Sequence, residues 1–190
     1  MTTQATQRIT TFLNNWSYPI IFVGVYVLWK VVDILIVPAA FVQPYWQAMV
    51  ASLSHIYQLC IGGLLTLFGY KIVYAGTDTI MLGPKSGVII KEHCLAISAS
   101  FIFGFTAMLL KSKTLSGKLA FAVGGVLFIF IINVIRLATY TVMHTHMPRW
   151  FSKFFHNYGY VIIMYGLILL MLKWWIDRQE SFAAKSSLRQ

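Results

Sequence analysis

Charged residues are scarce in this chain, and acidic residues are the scarcest. Only five of the 190 residues are Asp or Glu, and charged residues make up 11% of the sequence, whereas a soluble domain carries about a quarter. This composition excludes an ordinary soluble globule. The 15 basic residues give a net charge of +10, but they are scattered over short loops and the C-terminal tail. Membrane topology therefore explains them better than nucleic-acid binding does.

Cysteine is also rare, with only Cys60 and Cys94 in the whole sequence. Two cysteines are too few for a disulfide framework. Cys60 lies in the middle of one apolar run and Cys94 at the edge of another, so a bond between them is not favoured. Each cysteine is better considered as a separate thiol.

Long apolar runs fill most of the sequence, in which 58% of the residues are hydrophobic. Several runs reach or approach the roughly 20 residues that cross a hydrocarbon core about 30 Å thick. We therefore predict an all-α integral membrane protein, a single membrane domain over residues 1–190 with about five transmembrane helices. The predicted spans are residues 18–40, 47–70, 94–110, 119–143 and 158–176.

The first predicted span carries two opposite charges, Lys30 and Asp33. Residues three apart share one face of a helix, so these two side chains can neutralise each other in a medium of low dielectric constant. The run is long and no cluster of cations precedes it. It is therefore expected to be a retained helix rather than a cleaved signal peptide.

The segment 71–93 differs from the spans around it. Runs of β-branched residues lie on both sides of Gly83-Pro84-Lys85-Ser86-Gly87, a pattern typical of a turn between two short strands. We predict a small β-hairpin-like loop outside the bilayer. The three lysines of residues 111–118 and the basic tail 177–190 favour the cytoplasmic side, which places the N-terminus and the hairpin outside the cytoplasmic (inner) membrane.

Three residues that carry useful chemistry are predicted to reach the same face of this bundle. With antiparallel spans, Cys94, Arg136 and His156 lie at comparable depth. Arg136 is expected roughly 10 Å below the rim, where an arginine costs about 2.5–3.5 kcal/mol unless it finds a partner or a wet cleft. Asn133 and Tyr140 share its helix face at spacings of three and four, which predicts a polar stripe along a cavity.

This set of groups has the composition of an acyl-transfer site. Cys94 is predicted to open a helix, and a helix N-terminus and a nearby cation both favour the nucleophilic thiolate. His156 has an imidazole that can accept and return a proton near neutral pH. Arg136 cannot act as a base but suits an oxyanion. His144 and His146 lie on the same loop and stay open as alternatives to His156.

Other interpretations of the same residues are also open. The cysteine can be a packing residue, the histidine an interfacial group, and Arg136 a side chain that reaches up to the interface. A metal- or haem-binding protein is one rival function. Its candidate ligands are His93, Cys94, His144, His146 and His156. A non-catalytic assembly or transport subunit, in which Arg136 binds an anion, is the other.

The order of the three residues resembles that of the exosortase/archaeosortase family. One cysteine follows an extracytoplasmic loop, Asn133-Val134-Ile135-Arg136 comes late in the next long span, and His156 and Gly159 open the last one. The likeness covers roughly residues 70–170. Family members commonly have Cys-Ser-Gly at the cysteine, whereas this chain has Cys94-Leu95-Ala96 and is shorter than full-length members.

The resemblance implies a cysteine transpeptidase similar to sortase. Such an enzyme would cleave secreted proteins at a C-terminal motif that precedes a transmembrane helix and a basic tail, and transfer them to a lipid or polysaccharide acceptor at the cell surface. It implies that Cys94 carries the acyl group, Arg136 stabilises it and His156 moves protons, with Asn133, Tyr140 and Gly159 in support. No metal or other cofactor is expected, and the active site would face the extracytoplasmic side.

Overall fold

The computed structural model describes residues 20–82, 87–110 and 114–187, and it describes the side chains of these residues except 149 and 179–187. The described chain is mostly helical and carries one small sheet. Its elements in order are α1 (residues 20–31), a π-helix (Val32–Ile36), α2 (Gln43–Leu67), β1 (Ile72–Ala75), β2 (Thr79–Leu82), β3 (Gly87–Ile89), a 3-10 turn (Glu92–Cys94), α3 (Ile97–Leu109), α4 (Leu115–His146), α5 (Arg149–Phe154), a second π-helix (Phe155–Gly159) and α6 (Tyr160–Ser187).

Three helices of the described chain are long and apolar enough to cross a membrane, which is fewer than the predicted five. They are Gln43–Leu67, Leu115–His146 and Trp150–Arg178. The apolar helix Ile97–Leu109 is shorter, because the first residues of the predicted span 94–110 belong to a turn. The predicted span 18–40 begins outside the described residues, and its described helical part is 20–36.

The outward surface of these helices is apolar. Leu127 and Ile131 on α4 and Ile162 and Leu170 on α6 each expose more than half of their surface. A contiguous apolar surface of this kind is unfavourable in water and suits contact with lipid tails. The structure therefore agrees with the membrane class that the composition predicts.

Helices α3 and α4 approach closely where a glycine faces an aromatic ring. A Cβ atom added to Gly125 would overlap the ring of Phe103, which is fully buried. The ring of Phe121 stacks on that of Trp175 with centroids 4.3 Å apart, which ties α4 to α6. Small residues permit such close helix packing where no hydrophobic effect drives association. We call this end of the bundle, with Phe121 and Trp175, the Trp175 end.

Helix α1 runs antiparallel to α3 and α6. Phe22, near its start, lines a cavity with Leu110 and Ile176 at the Trp175 end. Trp29, near its end, packs against Phe101 in the first turns of α3, with ring centroids 4.6 Å apart. The start of α1 and the end of α6 therefore lie at the same end of the bundle. The prediction placed the N-terminus and the C-terminal tail on opposite sides, so the structure differs from it here.

The predicted pair of Lys30, near the end of α1, and Asp33, in the π-helix that follows, is confirmed. The ammonium nitrogen of Lys30 lies 3.4 Å from the carboxylate of Asp33. Their spacing of three residues places them on one helix face, as expected.

The loop between α2 and α3 contains three strands rather than the two of a single hairpin. They form an antiparallel sheet in the order β1-β2-β3, in which Ile72 pairs with Leu82 and Thr79 pairs with Ile89. The additional turn follows β1, where Gly76 has a φ of 72° that glycine adopts readily. The predicted turn at 83–87 falls mostly on residues 83–86, outside the described residues.

Candidate active site

Cys94 closes a short 3-10 turn and does not open helix α3. The turn spans Glu92–Cys94, and the amide of Leu95 donates to the carbonyl of Glu92 at 3.0 Å. Ala96 then adopts the left-handed conformation, with φ 54° and ψ 26°, and α3 begins only at Ile97. The prediction that the thiol lies at the helix N-terminus is therefore wrong by three residues, because the turn redirects the chain before the helix starts.

The conformation of Ala96 is a feature that often marks functional sites. A left-handed backbone costs an L-residue with a Cβ atom roughly 1–2 kcal/mol. Such residues persist only where the surrounding structure holds them in place, and they cluster at active sites. Ala96 is the only non-glycine residue with a positive φ among those that the structure describes.

Two buried side chains hold the backbone on either side of this strained turn. Asn133 of α4 donates from Nδ2 to the carbonyl oxygen of Cys94 at 2.6 Å. Tyr57 of α2 donates from its hydroxyl to the carbonyl oxygen of Leu95 at 3.1 Å. Asn133 and Tyr57 are both almost completely buried. The peptide units that follow the thiol are therefore fixed by hydrogen bonds to two different helices.

Arg136 lies one helical turn beyond Asn133 and is joined to it. Its Nη1 donates to Oδ1 of Asn133 at 3.2 Å, so the predicted polar stripe exists at these two residues. The guanidinium carbon lies 5.8 Å from the centre of the Tyr160 ring. The charge of Arg136 also acts on Cys94 and on His156. The Nε of Arg136 is buried and has no hydrogen-bond partner.

His156 lies in the π-helix between α5 and α6, and Tyr140 packs against it. The two ring centroids are 4.3 Å apart with the planes inclined by 32°. The Nδ1 of His156 is buried without a hydrogen-bond partner. π-Helical turns inside longer helices are frequent at functional sites. Gly159 closes this turn, and a Cβ atom there would come within 3.2 Å of the Phe155 ring.

The two alternative histidines lie farther along α4. The His144 ring is 5.8 Å from that of Tyr140, and His146 is exposed in the last turn. Of these histidines, His156 packs most closely on Tyr140, at 4.3 Å between ring centroids. The geometry thus brings His156, Arg136, Tyr140 and Asn133 to the surroundings of Cys94.

The thiol and the imidazole are not in direct contact. Within the described part of the chain, no hydrogen bond joins Cys94 to His156. Arg136 interacts electrostatically with both, and Tyr140 contacts the imidazole and interacts electrostatically with Cys94. A reacting group would therefore lie beside Arg136, between Cys94 and His156.

A cavity of about 200 Å³ opens at this point. It lies between the turn that contains Cys94, the start of α3, α4 and α6. Its lining includes Glu92, His93, Ala96, Ser98 and Arg136. Cys94 is buried behind this lining and does not line the cavity itself. A ligand in the cavity would meet the guanidinium first.

The geometry offers no ligand set for the metal alternative. Among residues 20–82, 87–110 and 114–187, no three His, Cys, Asp or Glu side chains are grouped so that they could hold a metal ion. Two of the proposed ligands differ in environment, since Cys94 is buried and His146 is exposed.

Tyr57 and Tyr160 are site residues that the sequence did not reveal. A tyrosine in the middle of an apolar helix carries a hydroxyl that needs a partner when buried, and that was the available signal for Tyr57. Its partner lies 38 residues away in the sequence. Helical periodicity does not reach across that distance, so the contact could not be assigned.

The fold and the site together define a helical membrane protein in which Arg136 lines a cavity, with Cys94 and His156 near Arg136 but outside the lining. The family model described as Transmembrane exosortase (Exosortase_EpsH) matches residues 3–172. The chain belongs to this family, and the family resemblance is confirmed. Comparisons with curated proteins and with solved structures give no match.

Proposed function

We propose that this protein is a cysteine transpeptidase that cleaves the C-terminal sorting signals of secreted proteins and transfers them to a cell-surface acceptor. Family membership supports a sortase-like role. The observation that carries the proposal is the buried Nε–H of Arg136, which has no partner beside a cavity and interacts electrostatically with both Cys94 and His156. A buried unpaired donor costs about 1–3 kcal/mol, and a substrate oxygen would remove that cost.

The first half of the reaction forms a thioester. The sulfur of Cys94 attacks the scissile carbonyl carbon, and the negative charge passes to the carbonyl oxygen. Arg136 donates to that oxygen, where a preorganised donor stabilises the transition state more than the ground state. The carbon–nitrogen bond then breaks, and the leaving amine takes the proton that His156 received from the thiol.

The second half of the reaction returns the enzyme to its starting state. An amine or hydroxyl of the acceptor attacks the thioester while His156 accepts its proton. The carbon–sulfur bond breaks, and the proton passes back to the thiolate. Asn133 and Tyr57 contribute by fixing the carbonyls of Cys94 and Leu95, so the nucleophile keeps its direction through both steps.

The substrate and the location follow from the same proposal. A secreted protein would present its motif beside the cavity, with its transmembrane helix in the bilayer and its basic tail in the cytoplasm. The acceptor would be a lipid or a polysaccharide. The site would face the extracytoplasmic side of the cytoplasmic membrane, which the lysines of residues 111–118 support through the positive-inside rule.

The two cysteines provide a matched test of this function. The protein is co-expressed with a candidate substrate that carries a motif, a transmembrane helix and a basic tail, and substrate cleavage is followed by gel shift. Cys94→Ala should abolish cleavage. Cys60→Ala should leave it unchanged, because Cys60 is exposed on α2 outside the site. Unchanged cleavage in Cys94→Ala, at parental expression level, would overturn the proposal.

A non-catalytic subunit that binds an anion is the second candidate. The unpartnered Nε of Arg136 beside the cavity, with the thiol buried behind it, is the observation that favours it. In that case Cys94→Ala would leave the function of the protein unchanged, whereas Arg136→Ala would abolish it. An enzyme would lose function in both variants, so Cys94→Ala is the variant that separates the two candidates.

A further inference from the structure

An apolar cavity of about 440 Å³ lies at the Trp175 end of the bundle, away from the proposed active site. It is enclosed by the start of α1, the end of α3 and the middle of α6. Phe22 contributes to its lining from α1, Leu110 from α3 and Leu172 from α6. Its lining includes none of the three residues of the proposed reaction, so that reaction does not use this cavity.

The cavity opens on the lipid-facing side of the bundle. Val23 and Leu169 line it and are apolar, yet they expose 58% and 53% of their surface. All of the surface that the lining residues present to the cavity is apolar. A water molecule needs about two to four polar partners to occupy a cavity. A hydrocarbon ligand from the bilayer therefore suits this space better than water does.

One charged residue, Lys173, belongs to the lining. It adds only apolar surface, so its methylene groups face the cavity and its ammonium lies beyond the apolar part. Long cationic side chains commonly cover apolar surface in this way and keep the charge at the interface. Lys173 is exposed and forms no ion pair within the described part of the chain. Its ammonium is therefore available to an anion at the edge of the cavity.

Further cations lie at the same end of the bundle. A Cβ atom added to Gly117 in the first turn of α4 would lie 3.8 Å from the Trp175 ring, which places the neighbouring Lys118 at this end. Arg178 follows on α6, with its guanidinium carbon 5.2 Å from the centre of the Trp174 ring. Among the described side chains at this end, Asp177 is the only carboxylate. The balance of charge attracts anionic headgroups.

The size of the cavity favours an acyl chain over a protein helix. A helix with its side chains is about 10–12 Å wide, so one turn of about 5.4 Å fills roughly 400–600 Å³. The cavity has room for about one such turn and not for a transmembrane segment, whereas an acyl chain is narrow enough to enter. A basic tail of the kind proposed for the substrates would also be repelled by Lys173.

We propose that this cavity binds an acyl chain of an anionic phospholipid whose phosphate pairs with Lys173. Basic pockets between transmembrane helices are suited to anionic lipid headgroups. Because the lining comes from α1, α3 and α6, the lipid contacts three helices at once and stabilises their association. This inference does not depend on the proposed reaction.

Thermal unfolding of the full-length protein in detergent tests this lipid site. The midpoint is measured with added phosphatidylglycerol and with phosphatidylcholine of the same acyl chains, which carries no net charge. Lys173→Gln removes the cation, and Leu169→Trp fills the opening of the cavity. Lys153→Gln and Leu170→Trp are the matched controls, because both parent residues are exposed and neither lines the cavity.

Phosphatidylglycerol should raise the midpoint of the parent protein more than phosphatidylcholine does, since a ligand that binds the native state stabilises it. This excess should be lost in Lys173→Gln and in Leu169→Trp, and kept in the two controls. An equal rise with both lipids, or an undiminished excess in either Lys173→Gln or Leu169→Trp, would overturn the proposal.

Photolabelling provides a second measurement that needs no substitution. The parent protein is irradiated with a phosphatidylglycerol that carries a diazirine in one acyl chain, and the labelled peptides are identified by mass spectrometry. Label on the peptides that contain Val23 or Leu169, displaced by excess phosphatidylglycerol but not by phosphatidylcholine, supports the proposal. Label confined to other peptides contradicts it, as does equal displacement by both lipids.

Discussion

The two ends of the helix bundle are built in different ways. At the Trp175 end, Phe103 fits against Gly125 and Phe121 stacks on Trp175. Lys118 also donates to the carbonyl of Met108 there, at 3.1 Å. At the Cys94 end, Asn133 and Arg136 form a hydrogen-bonded chain to the backbone of Cys94. The first end is held mainly by packing, whereas the second holds groups that can react.

Both ends contain buried polar atoms without partners, on Arg136 and His156 at the Cys94 end and on Trp175 at the other. The strained backbone of Ala96, however, belongs to the Cys94 end. Strain and unpaired donors destabilise a fold unless other contacts offset them. The comparison teaches that packing at the Trp175 end stabilises the helices on which the reactive groups are held. Changes at the two ends should therefore separate stability from activity.

The largest expected effect is on activity, at the Cys94 end. Arg136→Ala removes the donor beside the cavity, and loss of one oxyanion donor typically costs about 10²–10³ in rate. Substrate cleavage in the co-expression assay should fall by that factor. Lys153→Ala, which removes an exposed cation on α5, is the matched control and should leave cleavage unchanged. Equal cleavage in the two variants would contradict this assignment.

A smaller effect is expected on stability, at the Trp175 end. Gly125→Ala places a methyl group against the Phe103 ring, and overpacking of this kind typically costs about 1–3 kcal/mol. The thermal midpoint in detergent should fall. Gly124→Ala is the matched control, because its Cβ atom would meet nothing within 4 Å. If both variants unfold at the same temperature, the close α3–α4 contact does not stabilise the bundle.

The smallest expected effect is a gain in stability, at the Cys94 end. Ala96→Gly should raise the free energy of unfolding by about 1 kcal/mol, because glycine adopts the left-handed conformation without steric cost. Ala120→Gly, at an exposed position inside α4, should instead lower it by about 0.5–1 kcal/mol. A destabilised Ala96→Gly variant would show that the strain argument is wrong.

Local periodicity was enough to predict part of the site. Asn133 and Arg136 are three residues apart on one helix, and their hydrogen bond follows from that spacing. The pair Lys30–Asp33 was predictable for the same reason. The order of Cys94, Arg136 and His156 also indicated the family, because the order of short motifs along a chain is more specific than any one motif.

Contacts over long separations could not be predicted. The bond from Tyr57 to the Leu95 carbonyl and the contact between Trp46 and Glu92 depend on how α2 lies beside the sheet. Hydropathy reports length and composition, so it predicts the apolar helix near residues 47–70 but not the elements that this helix contacts. The left-handed turn at Ala96 was also hidden, since alanine usually signals a helix.

The central claim is that Cys94 carries the acyl group, and the most direct measurement is isolation of that intermediate. The protein is co-expressed with its candidate substrate, purified after acid quenching, and analysed by peptide mass spectrometry with and without hydroxylamine, which cleaves thioesters. The account predicts a hydroxylamine-sensitive adduct on the peptide containing Cys94, present in Cys60→Ala and absent in Cys94→Ala. An adduct on another residue, or cleaved substrate with Cys94 replaced, would contradict it.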